Sequence, residues 1–262
     1  MSTQTLSLRQ SLRLYRLETK LEILKTLRMP AYVLPTLLFP AFFYLLFGVA
    51  FGGDRPVGNT TVAGYLIATY GVFGVIGASM FAFGVGVAVE RGQGWLRLKR
   101  TSPMPPAAYL LARVFTSVLF SAVVIAMLCL MGLTLAGVRF EPMQWLMMAG
   151  IQIAGAIPFC AAGLAVGFWA GPNSAPGIVN LIYLPMAFAS GLWIPFEMLP
   201  PVIRSVSPFL PPFHLARLSL AAIGSGDGSS PMLHVGVLVL TTLVCLGLAA
   251  VGSRREKAQT WG

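Results

Sequence analysis

Charge is scarce in this chain. Only 10% of its 262 residues are Asp, Glu, Lys or Arg, while 56% are hydrophobic and the mean hydropathy is +0.80. A soluble domain carries about a quarter charged residues, so that class is excluded. Acidic residues number eight, and none falls inside one of the long apolar runs. Ion- and proton-coupled carriers keep an ionisable group at membrane depth to relay charge, so the chain shows no engine of its own. The lysines Lys20, Lys25, Lys99 and Lys257 never follow a glycine, which excludes the Gly-Lys-Ser/Thr phosphate cradle and ATP hydrolysis by that route. His214 and His234 form no HExxH and have no partner at metal-ligand spacing, and no GxSxG occurs. Cys129, Cys160 and Cys245 lie inside apolar runs without a CxxC, as small buried residues do. The first thirty residues hold six cations but no apolar stretch ending in a small-residue cleavage site, so the first spanning helix is expected to direct insertion. Internal repeats and low-complexity tracts are also missing.

What is abundant is long apolar sequence. Runs at about 31–52, 61–89, 107–137, 143–170, 175–194 and 232–252 predict six transmembrane helices in an all-α integral membrane protein. Residues 1–30 precede them as a separate unit, and 31–262 form the spanning domain. In that first unit Leu14, Leu17, Leu21, Leu24 and Leu27 recur at helical spacing, with Arg9, Arg13, Arg16 and Lys20 on another face. This predicts a basic amphipathic helix lying in the headgroup plane and punctuated by Pro30.

The formal charge of +10 is explained by orientation rather than by nucleic acid. Placing both termini in the cytosol puts fourteen of the 18 cations there and leaves Arg55, Arg139, Arg204 and Arg217 opposite.

The loop after the second run reads ERGQGWLRLKRTSPMPP. Gly92 and Gly94 permit a sharp exit, Trp95, Leu96 and Leu98 supply apolar anchors, and Pro103, Pro105 and Pro106 stiffen the return. With Arg91, Arg97, Lys99 and Arg100 this makes a short amphipathic projection suited to receiving a push from a soluble motor. An ordinary positive-inside loop with an interfacial Trp is the alternative. Later, GLWIPFEMLPPVIRSVSPFLPPFHLARL (191–218) is too apolar for a free loop and too broken by proline to cross. Such backbone is tolerated at membrane depth where protein buries it or it lines a cavity, whereas a surface loop would use Trp193 and Phe196 as an interfacial belt.

Within the runs, Gly163, Gly167 and Gly171 make overlapping GxxxG steps, and Gly71, Gly74 and Gly77 a second small-residue stripe. Both fit close packing inside one chain or at a dimer seam. Pro158 and Pro185 are expected to kink their helices. Thr69, Tyr70, Asn180, Tyr183 and Trp193 are candidates for lining a substrate path, although Ser and Thr also bond the preceding turn.

These features together resemble the permease of a type-2 ABC exporter. The resemblance is carried by Glu90, Arg91, Gly92, Thr101, Pro103, Tyr109 and Arg113 around the basic loop. Pro195, Glu197, Leu199, Pro200, Ser207, Pro208, Pro211 and His214 carry it in the later segment. Family members show Glu-x-Gly-Thr and a second acidic residue where this chain has Gln93-Gly94-Trp95. The resemblance implies a coupling segment at Glu90, Arg91, Trp95, Arg97, Lys99 and Arg100 that docks an ATPase, aided by Arg13, Arg16 and Lys20. It implies re-entrant outer helices between spans five and six with Pro195, Glu197, Pro200, Pro208 and His214 as a gate. It further implies a second permease copy forming a homodimer and a separate P-loop ATP-binding subunit holding ATP and magnesium. The chain itself then has no catalytic residue, metal or cofactor, and sits multi-pass in the cytoplasmic membrane of a bacterium. The expected cargo is a hydrophobic, drug-like or lipid-like amphiphile, with a polysaccharide or glycolipid as the alternative. A lone channel or carrier and a membrane-embedded lipid enzyme are the competing classes.

Overall fold

A computed structural model describes residues 8–96, 98 and 105–259. Helix α1 (Leu8–Leu27) is followed by α2 (Pro30–Phe43), which continues as a π-helical stretch over Tyr44–Gly52. A two-residue hairpin pairs Pro56 with Thr61 and Val57 with Thr60, turning at Gly58 in the left-handed region. Thr61 then caps the next helix by accepting the Gly64 N–H at 3.1 Å. That helix is α3 (Val62–Met80), which passes through a second π-helical stretch (Phe81–Val85) into α4 (Gly86–Gly92). After it come α5 (Pro106–Thr134), α6 (Pro142–Ala154), α7 (Ala156–Trp169) and α8 (Ala175–Ala189). Short pieces follow: a 3-10 turn (Phe196–Met198), α9 (Pro201–Val206), a second turn (Ser207–Phe209) and α10 (Pro211–Ala222). Last is α11 (Pro231–Gln259).

Among the described residues, five helical stretches are long and apolar enough to cross a bilayer: Tyr32–Gly52, Val62–Gly92, Ala107–Thr134, Pro142–Trp169 and Pro231–Glu256. The chain is an all-α, multi-pass membrane protein. The expected span at 175–194 forms α8, whose 15 residues rise roughly 22 Å. Chain beyond the helix has to supply the remaining depth of a core about 30 Å thick.

The core is organised round α3, which is buried on every face from Ala63 to Met80. Its small-residue stripe is filled by neighbours: Gly71 faces Gln152, Gly74 faces Val124 and Gly77 faces Tyr183. Gln152 is itself fully buried and donates to Ala68 O at 2.9 Å. The GxxxG stripe of α7 closes on the same rod. A methyl group on Gly163 would stand 2.9 Å from Met80 O, and one on Gly167 2.8 Å from Phe83 O. Gly171 falls past the end of α7 and meets only Ser174 Oγ, so Gly163 and Gly167 with the α3 stripe serve packing within the chain. The contact falls where the second span widens into π-helix, a device common at functional positions.

Proline acts where its missing N–H is felt. Pro158 sits in the first turn of α7, and the break lies upstream at Gly155 (φ −65°, ψ −7°), directly after Ala154, whose carbonyl proline cannot satisfy. Pro185 stays inside α8, as Pro35 and Pro40 do inside α2.

Gly163→Leu has no room to adapt, since backbone atoms oppose it. It should lower stability by about 1–3 kcal/mol, read as an earlier thermal unfolding midpoint in detergent, whereas Gly177→Ala in α8, with open space before it, should not.

Candidate functional site

The residues that helix α1 buries are polar. Leu17, Leu21, Leu24 and Leu27 are exposed, while Glu22 and Thr26 are buried against the spans. Arg13, Arg16 and Lys20 share the exposed side with these leucines, a mixture suited to the lipid headgroups. The buried face has a charged destination. Glu90, near the end of α4 and only 7% exposed, pairs with Arg113 of α5 at 2.8 Å and with Lys25 of α1. Tyr109 donates to the same carboxylate at 2.7 Å, and Glu22 lies 3.5 Å from both Arg113 and Lys25. Arg113 also donates to Ala82 O, a carbonyl within the π-helical stretch, and stacks over the Tyr109 ring at 4.9 Å.

The members of this cluster are unequal. Lys25 keeps 41% of its side chain exposed and resembles a surface ion pair, worth about 0–1 kcal/mol. Arg113 is 1% exposed. Removing its partner leaves an uncompensated buried charge, at about 3–5 kcal/mol.

Arg91, the next residue, reaches the end of α7 and donates to the carbonyls of Phe168 and Ala170, the latter at 2.6 Å. This suits a cation at a helix C-terminus, where carbonyls lack intrahelical partners. Of the residues expected to dock a motor, Glu90 and Arg91 are thus engaged within the chain. Trp95 and Leu98 stand outward, 53% and 63% exposed. Arg13, Arg16 and Lys20 are exposed along α1. Arg97, Lys99 and Arg100 lie outside the described residues. Lys25, Glu22 and the buried role of Arg113 were missed as site residues. The available signal was a carboxylate and an arginine, each where neighbouring residues are apolar.

A second feature is an aromatic groove of about 740 Å³ between α2 and α8, floored by α3. Phe39, Phe43, Phe73, Phe81, Tyr183 and Trp193 line it with Asn180 at its rim. Tyr183 stacks on Phe73 at 4.8 Å and Trp193 on Phe43 at 6.3 Å. Its hydroxyls are already committed: Thr36 donates to Tyr32 O, Tyr32 to Ala78 O and Tyr183 to Phe73 O. Asn180, Tyr183 and Trp193 are brought together here. Thr69 and Tyr70 are instead buried in α3, and Tyr70 donates to Trp193 O at 3.1 Å.

The proline-rich segment forms a cap at the far end of α3. Tyr65 donates to Gly191 O at 3.0 Å and accepts from Phe196 N–H at 3.1 Å. Pro195 precedes the first turn and Pro200 opens α9, while Glu197 is exposed. Pro208 offers its carbonyl to His214 at 2.8 Å. His214 is buried against His234, a contact outside the expected gate.

Fold and site thus define a multi-pass membrane protein with a charged junction at one end, a cap at the other and an apolar groove between. The ABC-2 type transporter family model matches residues 13–223, and the chain belongs to that family. It is also similar to "Putative transport permease YvfS" of Bacillus subtilis (strain 168), 29% identical over 238 residues that cover 90% of this chain and 96% of that one.

Glu90→Gln should destabilise the protein by about 3 kcal/mol or more and expose α1 to limited proteolysis. Lys25→Ala should shift the unfolding midpoint only slightly. Equal effects would mean that Arg113 is not the partner that matters.

Proposed function

We propose that the chain is the membrane subunit of an ABC exporter that moves a hydrophobic or amphiphilic compound and draws its energy from a separate P-loop ATPase. The observation that carries this reading is the junction at Glu90. There the amphipathic helix, the second span and the third span are fastened by buried charge, directly beside the basic loop on which a motor could press. A force applied at that loop reaches α3 without slack, and α3 forms the floor of the groove. Catalysis in this chain is not required, since the partner's nucleotide chemistry supplies the work.

In this scheme the chain crosses six times, with α8 and the turn after it completing the fifth crossing. Both termini lie in the cytosol of a bacterial inner membrane, and the proline-rich segment lies in the outer leaflet. Two copies form the pathway. The coupling contacts are Trp95, Arg97, Lys99 and Arg100 with Arg13, Arg16 and Lys20 of α1. Glu90 and Arg91 hold that platform in place.

The groove supports the amphiphile over a sugar. A polysaccharide presents hydroxyls that need partners, and burying them without hydrogen bonds costs several kcal/mol each. Asn180 and the Trp193 Nε1–H, unpartnered among the described residues, are the groove groups placed to offer such bonds, since the hydroxyls of Thr36, Tyr32 and Tyr183 donate to backbone carbonyls. Two such groups are few for a sugar. Apolar surface needs no such match and is favoured at about 25 cal/mol per Å².

The test is reconstitution in proteoliposomes with the P-loop partner, following ATP turnover and movement of a fluorescent amphiphile. Arg97→Glu with Lys99→Glu should weaken partner binding and coupled turnover by about tenfold or more, through charge reversal at a docking surface. Unchanged turnover would remove those residues from the docking role, and uphill movement by the chain alone would remove the ATPase.

A further inference from the structure

The cap is fastened to the last helix by a chain of hydrogen bonds that runs through the molecule's two histidines. His214 of α10 is 3% exposed and His234 of α11 4% exposed, and their Nδ1 atoms stand 2.8 Å apart. His214 Nε2 lies 2.8 Å from Pro208 O. A carbonyl only accepts, so that nitrogen carries a proton and donates. With both rings neutral, His214 Nδ1 is therefore the acceptor and His234 Nδ1–H the donor. His234 Nε2, 2.7 Å from Ser229 Oγ, then accepts the Ser229 hydroxyl. From Pro208 to His234 the direction of each bond is fixed by the first.

Ser229 also contacts Asp227. Its amide donates to Asp227 Oδ1 at 3.0 Å, and its hydroxyl is within bonding distance of the same oxygen. One hydroxyl proton cannot serve both His234 and Asp227. A proton added at His234 Nε2 resolves the competition: the ring donates to Ser229 Oγ, and the hydroxyl turns to the carboxylate. Burial raises the proton affinity of Asp227. The Ser229 hydroxyl and amide and the charge of Arg217, 3.4 Å away, outweigh it and hold the carboxyl below its ordinary value. Asp227 is thus an anion ready to receive that bond.

Two charged groups face the pair, Asp227 and Arg217. Arg217 of α10 pairs with Asp227 and lies over the rings of Phe196 and Phe213. Tyr65 of α3 bonds the backbone at Gly191 and Phe196, Glu197 is exposed, and Pro142–Ala154 of α6 contains no titratable side chain.

We propose that His214 and His234 form a proton-operated latch: it holds the proline-rich cap to the last helix with zero or one added proton and releases it with two. The first proton enters at His234 Nε2 and leaves the bridge intact. A second can enter only at His214 Nδ1, the acceptor of the bridge. Two N–H groups then face each other across 2.8 Å, each on a cation, and the contact between α10 and α11 is lost. The latch itself does not depend on what the protein moves. That acid acts on it from the external side rests on the orientation proposed above.

Because the chain has two histidines, ¹⁵N-histidine NMR of the protein in nanodiscs reads this pair alone. A pH series from 8 to 4 is run beside hydrogen exchange on residues 211–220, corrected for intrinsic rates. The pair should take up its two protons in two separate steps. Protection should hold through the first step and fall about tenfold or more with the second. His234→Gln, whose amide can donate to neutral His214 and rotate to accept from protonated His214, should leave one titration step and abolish the release. Rings that titrate together as independent imidazoles would overturn the latch. So would protection lost with the first proton, or retained after the second.

Discussion

A carboxylate and a guanidinium removed from water have to stay together, and three segments of this chain meet at such a pair. Glu90 and Arg113 lie 2.8 Å apart, with Arg113 almost wholly buried. Separating them would strand a charge in a low-dielectric site, where breaking such a pair costs about 3–5 kcal/mol. Helix α1 joins through buried Glu22 and through Lys25, which stays partly exposed. The pair therefore fixes how α1, the second span and the third span are arranged, and the leucines of α1 are left facing outward as a consequence. The same guanidinium reaches Ala82 O, so charge and backbone irregularity are joined at one side chain.

That irregularity lies beside a close approach of two helix backbones. Gly163 and Gly167 bring α7 against the Met80 and Phe83 carbonyls, next to the π-helical stretch. Lipid gives helices no hydrophobic reason to associate, so close packing of small residues has to do so. The second span is thus gripped on one side by glycine packing and on the other by Arg113. It can move with its neighbours more readily than slide past them.

The sequence makes the spans legible because their signal is length and hydropathy, and 31–52, 61–89, 107–137, 143–170 and 232–252 all correspond to long helices. The run 175–194 was less legible, since hydropathy does not report where a helix stops. Here Ser190 and Gly191 turn the chain while it is still apolar. The amphipathic helix was legible as a helix, but the usual apolar-in rule hides which face packs, and so Glu22 and Lys25 were passed over. Asn180, Tyr183 and Trp193 share a groove because α8 and the following turn bring them together. Thr69 and Tyr70 have the same composition signal yet lie on a helix buried all round. The two histidines are twenty residues apart, and no spacing rule connects them. Only the return of α11 past α10 does.

The two ends of the second span are held by different forces, and this difference has a mechanical meaning. Val62–Gly92 extends roughly 45 Å. At its Glu90 end the joints are buried charges, which are costly to part and insensitive to small displacements. At its Tyr65 end the joints are single neutral hydrogen bonds to Gly191 and Phe196, each worth about 0.5–1.5 kcal/mol net. A displacement imposed at the charged end is transmitted before anything there gives way. The first contacts to yield are the weak ones under the cap. Rigidity is therefore placed beside the basic loop, and compliance at the opposite end, beyond the groove.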